Sequence, residues 1–196
     1  MNTDTTPATP CNFDGVDLTG KRVLVIGSGA DLNGRAMAST IDTPPAEGGV
    51  YDVVVRCNKM FGDPADVGHR CDVAAVRYPE WLIKYGLTHA THFISFNGSQ
   101  IGGRAAGTYG QWGRREKENL AAELGVKNPS CGALAVAWAK VRGCSKENLH
   151  VIGFGYDPKS GTFAGEKRYP DGTIDQNPNY DWARENEWLR QNVTLI

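Results

Sequence analysis

The sequence predicts an α/β fold in which a mainly parallel β-sheet is flanked by helices. Three observations carry that prediction. Val23-Leu24-Val25-Ile26 and Val53-Val54-Val55 are apolar without alternation, the mark of strands buried on both faces. The strand-like runs end in glycine or amide residues, at Gly27, Asn58 and Gly153. Segments with helical periodicity stand between them, as βαβ units require.

In chain order, residues 1–17 are polar, carry two prolines and read as a loose tail ahead of one domain at 18–196. Residues 22–27 are the first strand. A glycine-rich loop follows at 27–34, then a short helix at 35–41, and Pro44, Pro45, Gly48 and Gly49 interrupt the chain. Residues 51–56, 72–77 and 91–96 read as three further strands, with a short helix at 79–85. Residues 97–113 hold six glycines and read as a loop. A helix spans 114–124 and is closed by Gly125, a residue favoured just past a helix end. The next helix spans 130–141, with Leu134, Ala137, Trp138 and Val141 on one buried stripe. Residues 149–153 are a buried strand and 156–179 are irregular. A last helix covers 181–193, with Trp182, Leu189 and Val193 on one face.

Composition narrows the function. A chain of 196 residues fits one domain. A net charge of −1 gives no electrostatic case for nucleic acid or a membrane surface as partner. The five cysteines, Cys11, Cys57, Cys71, Cys131 and Cys144, are odd in number and match no zinc spacing, so free thiols in a reducing compartment are expected. The first residues have neither the basic nor the apolar segment of a signal peptide, and no run approaches the ~20 apolar residues of a membrane helix. A cytoplasmic location is the expectation.

The chemistry gathers at the strand ends. A glycine-rich turn after a buried strand lets backbone N–H groups approach a phosphate. It is not the dinucleotide fingerprint: Leu32 stands where the third glycine belongs, and the second strand ends in Arg56-Cys57-Asn58 with no ribose-binding acid. Arg56 and Asn58 fall at the carboxyl edge, where open α/β sheets bind ligands. Ser130 is placed to cap a helix whose first N–H groups suit an anion. Gly153-Phe154-Gly155 ends a strand at the same edge. Three loops on one rim predict a nucleotide cleft.

These segments resemble the sialyltransferases that use CMP-sialic acid. The large motif of that family is similar to Val25-Ile26-Gly27-Ser28-Gly29-Ala30-Asp31-Leu32, followed by Tyr51 to Asn58 and by Asp66-Val67-Gly68. The small motif is similar to Pro129-Ser130-Cys131-Gly132 through Cys144 to Val151-Ile152-Gly153-Phe154-Gly155. The very short motif, a histidine with a glutamate five residues on, is matched by Tyr180 and Glu185. The order holds from about residue 22 to 190.

The resemblance implies a Rossmann-like, GT-A-variant single domain that transfers a sugar from a CMP donor to an acceptor hydroxyl, with inversion and without a metal or other cofactor. Its partners would be the nucleotide-sugar donor and an acceptor glycan or other hydroxyl compound. Asn58 would bond the CMP phosphate or ribose. Ser130 and Gly132 would meet the donor carboxylate or nucleotide, and Gly153, Phe154 and Gly155 would line the nucleotide pocket. Gly27, Ser28 and Gly29 would form the phosphate loop, with Ser28 where the family has asparagine. Val23 stands where the family has the cysteine that pairs with the counterpart of Cys144.

Tyr180 is the largest departure, because the family uses histidine there as general base. A phenol with a reference pKa near 10 is a poor base at neutral pH. Lowering it would need a nearby cation such as Arg184. Asp157, Asp181, Glu185 and His69 are the other candidates for the base. His150 reads as structural, and His89 and His92 flank a strand start. Two alternatives stay open: a nucleotide-binding protein of this fold without transfer, and a transferase acting on a nucleobase or nucleic acid.

Overall fold

The structure, a computed structural model, describes residues 16–59, 62–78, 80–84, 87, 90–96, 108–111, 114–164, 168–175 and 180–196. In chain order the elements are β1 (Val23–Ile26), α1 (Ala38–Asp42), β2 (Val53–Cys57), α2 (Pro64–Val67), β3 (Val73–Val76), α3 (Glu80–Lys84), β4 (His92–Ser95), β5 (Thr108–Gln111), α4 (Arg114–Leu124), α5 (Cys131–Val141), β6 (Leu149–Ile152), β7 (Tyr156–Asp157), β8 (Thr162–Phe163), α6 (Trp182–Asn192) and β9 (Thr194–Leu195). Seven strands make one sheet in the order β5-β4-β3-β2-β1-β6-β9, and every pairing in it is parallel.

The unbroken apolar runs explain the layering. Along β1, Val23 and Val25 face a core shared with α4, α5 and α6, while Leu24 and Ile26 face a second core with Ile41 of α1 and Val67 of α2. A third cluster packs Leu82 of α3 against Ala74, Val76 and Phe93. Helices therefore cover both faces, as a parallel sheet requires. The chain winds from β1 outward to β5, returns through α4 and α5, and places β6 on the other side of β1. The order of winding reverses between β1 and β6, the switch point where sheets of this kind hold ligands.

Helix α5 crosses the centre of the sheet. It was expected to bury one stripe ending in Val141; instead Ala133 to Ala139 are all buried, and Val141 is 65% exposed at the helix end. The sheet lies on one side of α5 and α4 on another, so small alanines fill nearly the whole circumference.

Four elements depart from the expectations. Residues 108–111, placed in a glycine-rich loop, form β5; the rest of 97–113 lies outside the described residues. Residues 64–67 form α2, which Asp63 caps by accepting the Ala65 N–H at 2.8 Å. Residues 156–163 hold the antiparallel pair β7–β8. The last helix stops at Asn192, and β9 pairs with β6 beyond it.

The expected tail falls mostly outside the described residues. Val16 packs on the core, and the Leu18 N–H bonds the Arg142 carbonyl at 2.9 Å. Cys57, Cys71, Cys131 and Cys144 are free and buried; Cys11 is outside the described residues. Cys144 shares its core with Val23, and its Sγ donates to the Lys21 carbonyl at 3.6 Å. Among the described residues, no helix is long and apolar enough to cross a membrane.

Candidate functional site

Two loops are stitched together at the switch point. The Gly27 N–H bonds the Ile152 carbonyl at 2.8 Å, and the Gly29 N–H bonds the Gly153 carbonyl at 2.7 Å. The Asp31 carboxylate accepts from the N–H groups of Gly153 (2.8 Å) and Gly155 (2.7 Å). A side chain at Gly27 would overlap the Gly153 carbonyl oxygen. Gly153 has φ +77°, and a Cβ there would come within 2.9 Å of the Gly27 carbonyl carbon and of Leu32 Cδ2. The two glycines thus let the backbones touch.

This corrects the expectation that these loops present bare N–H groups to a phosphate. The amides of Gly27, Gly29, Gly153 and Gly155 are spent inside the protein, and Gly29 and Gly155 do not line the cavity. Ser28 does line it. Among the described residues, no internal hydrogen bond engages its N–H or its Oγ. It is the part of the first loop left for a ligand.

The cavity occupies about 270 Å³ at the carboxyl ends of β1, β2 and β6, near the smaller end of small-molecule clefts. Nine expected residues meet there: Gly27, Ser28, Asn58, Ser130, Gly132, Gly153, Phe154, Tyr180 and Glu185. Asn58 takes a left-handed conformation, φ 59°, at the end of β2. Its Oδ1 accepts the Arg77 N–H at 3.1 Å. Because a backbone N–H only donates, the bond orients the amide and leaves the Nδ2 donors for the cavity.

Ser130 caps α5, its Oγ accepting the Ala133 N–H at 3.1 Å. Its own N–H donates to Glu185 Oε1 at 2.6 Å, and Glu185 is 2% exposed. The carboxylate stands where the aligned dipoles of α5 favour negative charge. The N–H groups of Cys131 and Gly132 follow in the same first turn and have no internal acceptor among the described residues. Gly132 also admits the Phe154 ring, which a Cβ would meet.

The remaining wall mixes aromatic and polar side chains and was missed. Trp81, Tyr169, Asp175, Trp182, Asn186 and Leu189 line the cavity together with Lys59. On α6 the signal was present: Trp182, Glu185, Asn186 and Leu189 fall at i, i+3, i+4 and i+7, one helix face. Tyr169 and Asp175 had no such signal. They come from a turn in which the Tyr169 N–H bonds the Thr173 carbonyl at 2.8 Å and the Ala30 N–H bonds the Arg168 carbonyl at 2.7 Å. The Tyr169 hydroxyl donates to Asp175 Oδ2 at 2.9 Å.

Tyr180 is pushed above the ordinary phenol range by burial, which outweighs the opposing charge of Arg77. Arg77 lies over its ring at 5.5 Å and donates to the Pro129 carbonyl at 2.6 Å. Arg184, expected beside Tyr180, instead pairs with Asp181 at 3.3 Å and donates to the Gly125 carbonyl at 2.8 Å. Tyr169 is also pushed upward, by burial first and then by its bond to Asp175.

Several candidates stand elsewhere. His69 is exposed outside the cavity, and its backbone N–H donates to Asp42 at 2.8 Å. Asp157 is exposed on β7, and its carboxylate accepts the Lys159 N–H at 2.9 Å. Asp181 caps α6. His150 bridges the Tyr51 hydroxyl (3.3 Å) and the Glu147 carbonyl (3.2 Å). None of the described histidines, His69, His92 and His150, lines the cavity, and His89 lies outside the described residues.

Arg56 also turns away from the rim. It is buried and donates to the carbonyls of Val67 (2.6 Å), Gly68 (2.9 Å) and Arg70 (2.8 Å). Asp66 accepts from Gly34 (2.8 Å) and Ala36 (3.1 Å), and Gly68 adopts φ 64°, ψ −170°, which only glycine takes readily. Arg56 and Asp66-Val67-Gly68 therefore form a buckle under the sheet.

No family model matches the chain, and no curated protein matches it in sequence. Among solved structures, the chain is similar to a mammalian sialyltransferase crystallised in complex with Gal-beta-1-3GalNAc-ortho-nitrophenol. The TM-score is 0.55 at 17% sequence identity, over 90% of this chain and 69% of that one. At that identity the likeness is one of fold: the chain has a sialyltransferase-like, Rossmann-type α/β fold.

Proposed function

We propose that this protein is a glycosyltransferase that takes a sugar from a CMP-activated donor and passes it to an acceptor hydroxyl with inversion and without a metal. The observation that carries this reading is the convergence of uncommitted donors at the switch point. Ser28, Asn58 Nδ2 and the first N–H groups of α5 surround one cavity in a sialyltransferase-like fold. Neutral hydrogen-bond donors and a helix N-terminus suit the donor phosphate, and they gain strength as charge develops on it when the sugar bond breaks. Phe154, Trp81, Trp182 and Tyr180 offer flat faces for the base and sugar.

A second reading, nucleotide binding without transfer, is favoured by one observation: no described histidine lines the cavity, and the phenol at 180 keeps its proton at neutral pH. A thermal-shift panel of CMP, UMP, GDP and NAD tests the cleft. A shift selective for CMP supports both readings, and equal shifts or none reject both. Release of CMP from CMP-sialic acid then separates them.

A further inference from the structure

We propose that Arg77 is a positioning residue of this cavity: with Glu185 it grips the one peptide group that leads into α5, and so aims the first N–H groups of that helix at the ligand. The identity of the ligand rests on the nucleotide-donor reading above.

A cation, a peptide group and an anion stand in line. Arg77 directly follows β3, at the carboxyl edge of the sheet. Its Nη2 donates to the Pro129 carbonyl at 2.6 Å. The Ser130 N–H donates to Glu185 Oε1, also at 2.6 Å. That carbonyl and that N–H belong to the same peptide group, the one joining residues 129 and 130. A peptide group is planar and close to rigid, so bonds at both its ends fix its orientation. Both bonds are charge-assisted, and each polarises the group in the sense that strengthens the other. Pro129 and Ser130 are buried, which withdraws the grip from competing water.

Ser130 is the N-cap of α5, so the plane of this peptide sets the direction in which the helix starts. Cys131 and Gly132 come next, and all three residues line the cavity. Arg77 does not line it and acts through the chain it holds. The same residue reaches two further walls. Its backbone N–H donates to Asn58 Oδ1 at 3.1 Å, and its guanidinium lies over the Tyr180 ring at 5.5 Å. Tyr180 stands just ahead of Asp181, the N-cap of the helix that carries Glu185. Arginine suits these contacts: a flat guanidinium donates in its plane and offers its face to a ring, whereas a lysine ammonium is a compact point charge.

The test uses the full chain, amide hydrogen exchange read by NMR, and CMP as the ligand probe. In Arg77→Met the Ser130 N–H is expected to exchange at least about tenfold faster than in wild type, with Val25 of β1 and Val151 of β6 unchanged. Arg77→Lys keeps a charged donor and is expected to stay within about threefold of wild type. In Glu185→Ala the Ser130 bond is already lost, so adding Arg77→Met is expected to speed this amide no further. CMP affinity by calorimetry is expected to fall at least about tenfold in Arg77→Met and less than about threefold in Arg77→Lys. Ser130 exchange in Arg77→Met that matches wild type overturns the proposal, as does equal acceleration throughout the sheet, which would make Arg77 a general stabiliser. Full extra acceleration in the double variant overturns the shared grip. Unchanged CMP affinity in folded Arg77→Met overturns the role toward the ligand. Wild-type protein that binds no CMP rejects the donor reading instead, and the exchange rates, measured without ligand, still decide whether Arg77 sets the start of α5.

Discussion

Glu185 Oε1 accepts the backbone N–H of Ser130 at 2.6 Å, joining the inner face of α6 to the first turn of α5 beneath the cavity floor. The same Ser130 caps α5 through its hydroxyl. One buried carboxylate and one hydroxyl therefore hold the helix end that the proposed donor phosphate would meet.

Removing that carboxylate leaves a buried N–H without an acceptor, which costs about 1–3 kcal/mol. Glu185→Ala is expected to lose about that much in urea denaturation. Glu185→Gln, whose amide oxygen still accepts, is expected to lose less than half as much. Equal losses in the two variants would show that charge rather than the hydrogen bond holds the contact.

Asn58 offers a cleaner binding test than truncation. Asn58→Asp keeps an acceptor for the Arg77 N–H but replaces the Nδ2 donors with a second carboxylate oxygen. CMP affinity is expected to drop at least tenfold, about 1.4 kcal/mol, with the thermal midpoint little changed. Unchanged affinity by calorimetry would remove Asn58 from the ligand site.

The contact between Gly27 and Gly153 admits no side chain. Gly153→Ala adds strain at φ +77° and an atom 2.9 Å from backbone and from Leu32. A loss of about 2 kcal/mol or more is expected, together with loss of any CMP-induced thermal shift. Exposed Gly172, also at positive φ but with nothing within 4 Å, serves as the control for strain alone. Equal losses at both positions would mean that the close approach contributes nothing.

Tyr180, a phenol that keeps its proton at neutral pH even at its ordinary value, is pushed further up by burial. Tyr180→Phe is expected to lose no more than about tenfold in turnover at any pH from 6 to 10, without a change in profile shape. A loss of several hundred-fold at every pH, with donor affinity intact, would make the phenol essential.

Buried thiols set the alkaline limit. Burial pushes Cys71 from 9.0 to about 12 and Cys144 to about 11. A raised folded-state pKa means that the folded protein holds the proton more tightly than the unfolded chain. The associated stability is complete below about pH 9 and is lost as pH climbs through the folded values. The melting temperature is expected to hold from pH 7 to about 9 and then fall. Cys71→Ala is expected to melt lower at pH 7 yet lose less between pH 9 and 11. An unchanged alkaline slope in that variant would refute the assignment.

The layered fold was legible because parallel strands buried on both faces leave an unmistakable mark: unbroken runs such as Val23 to Ile26, each ended by a residue suited to a turn. The cleft was legible for the same reason, since Gly27, Asn58 and Gly153 are the carboxyl ends of neighbouring strands. Strand β9 was not, because two residues pair only when β6 lies beside them.

The sequence by itself determined five of the seven strands of the sheet, which end of it carries the candidate site and which strand-end loops meet there, all consequences of local pattern and of parallel topology. Only the tertiary structure decided what each polar group does. It spent the glycine amides on the Ile152 and Gly153 carbonyls and on the Asp31 carboxylate, turned Arg56 beneath the sheet, left His69 and Asp157 outside the cavity and folded the 168–175 turn over so that Tyr169 and Asp175 complete the wall. The physical reason is that a hydrogen-bonding group acts on a ligand only if the protein has not already satisfied it, and that depends on neighbours distant in sequence.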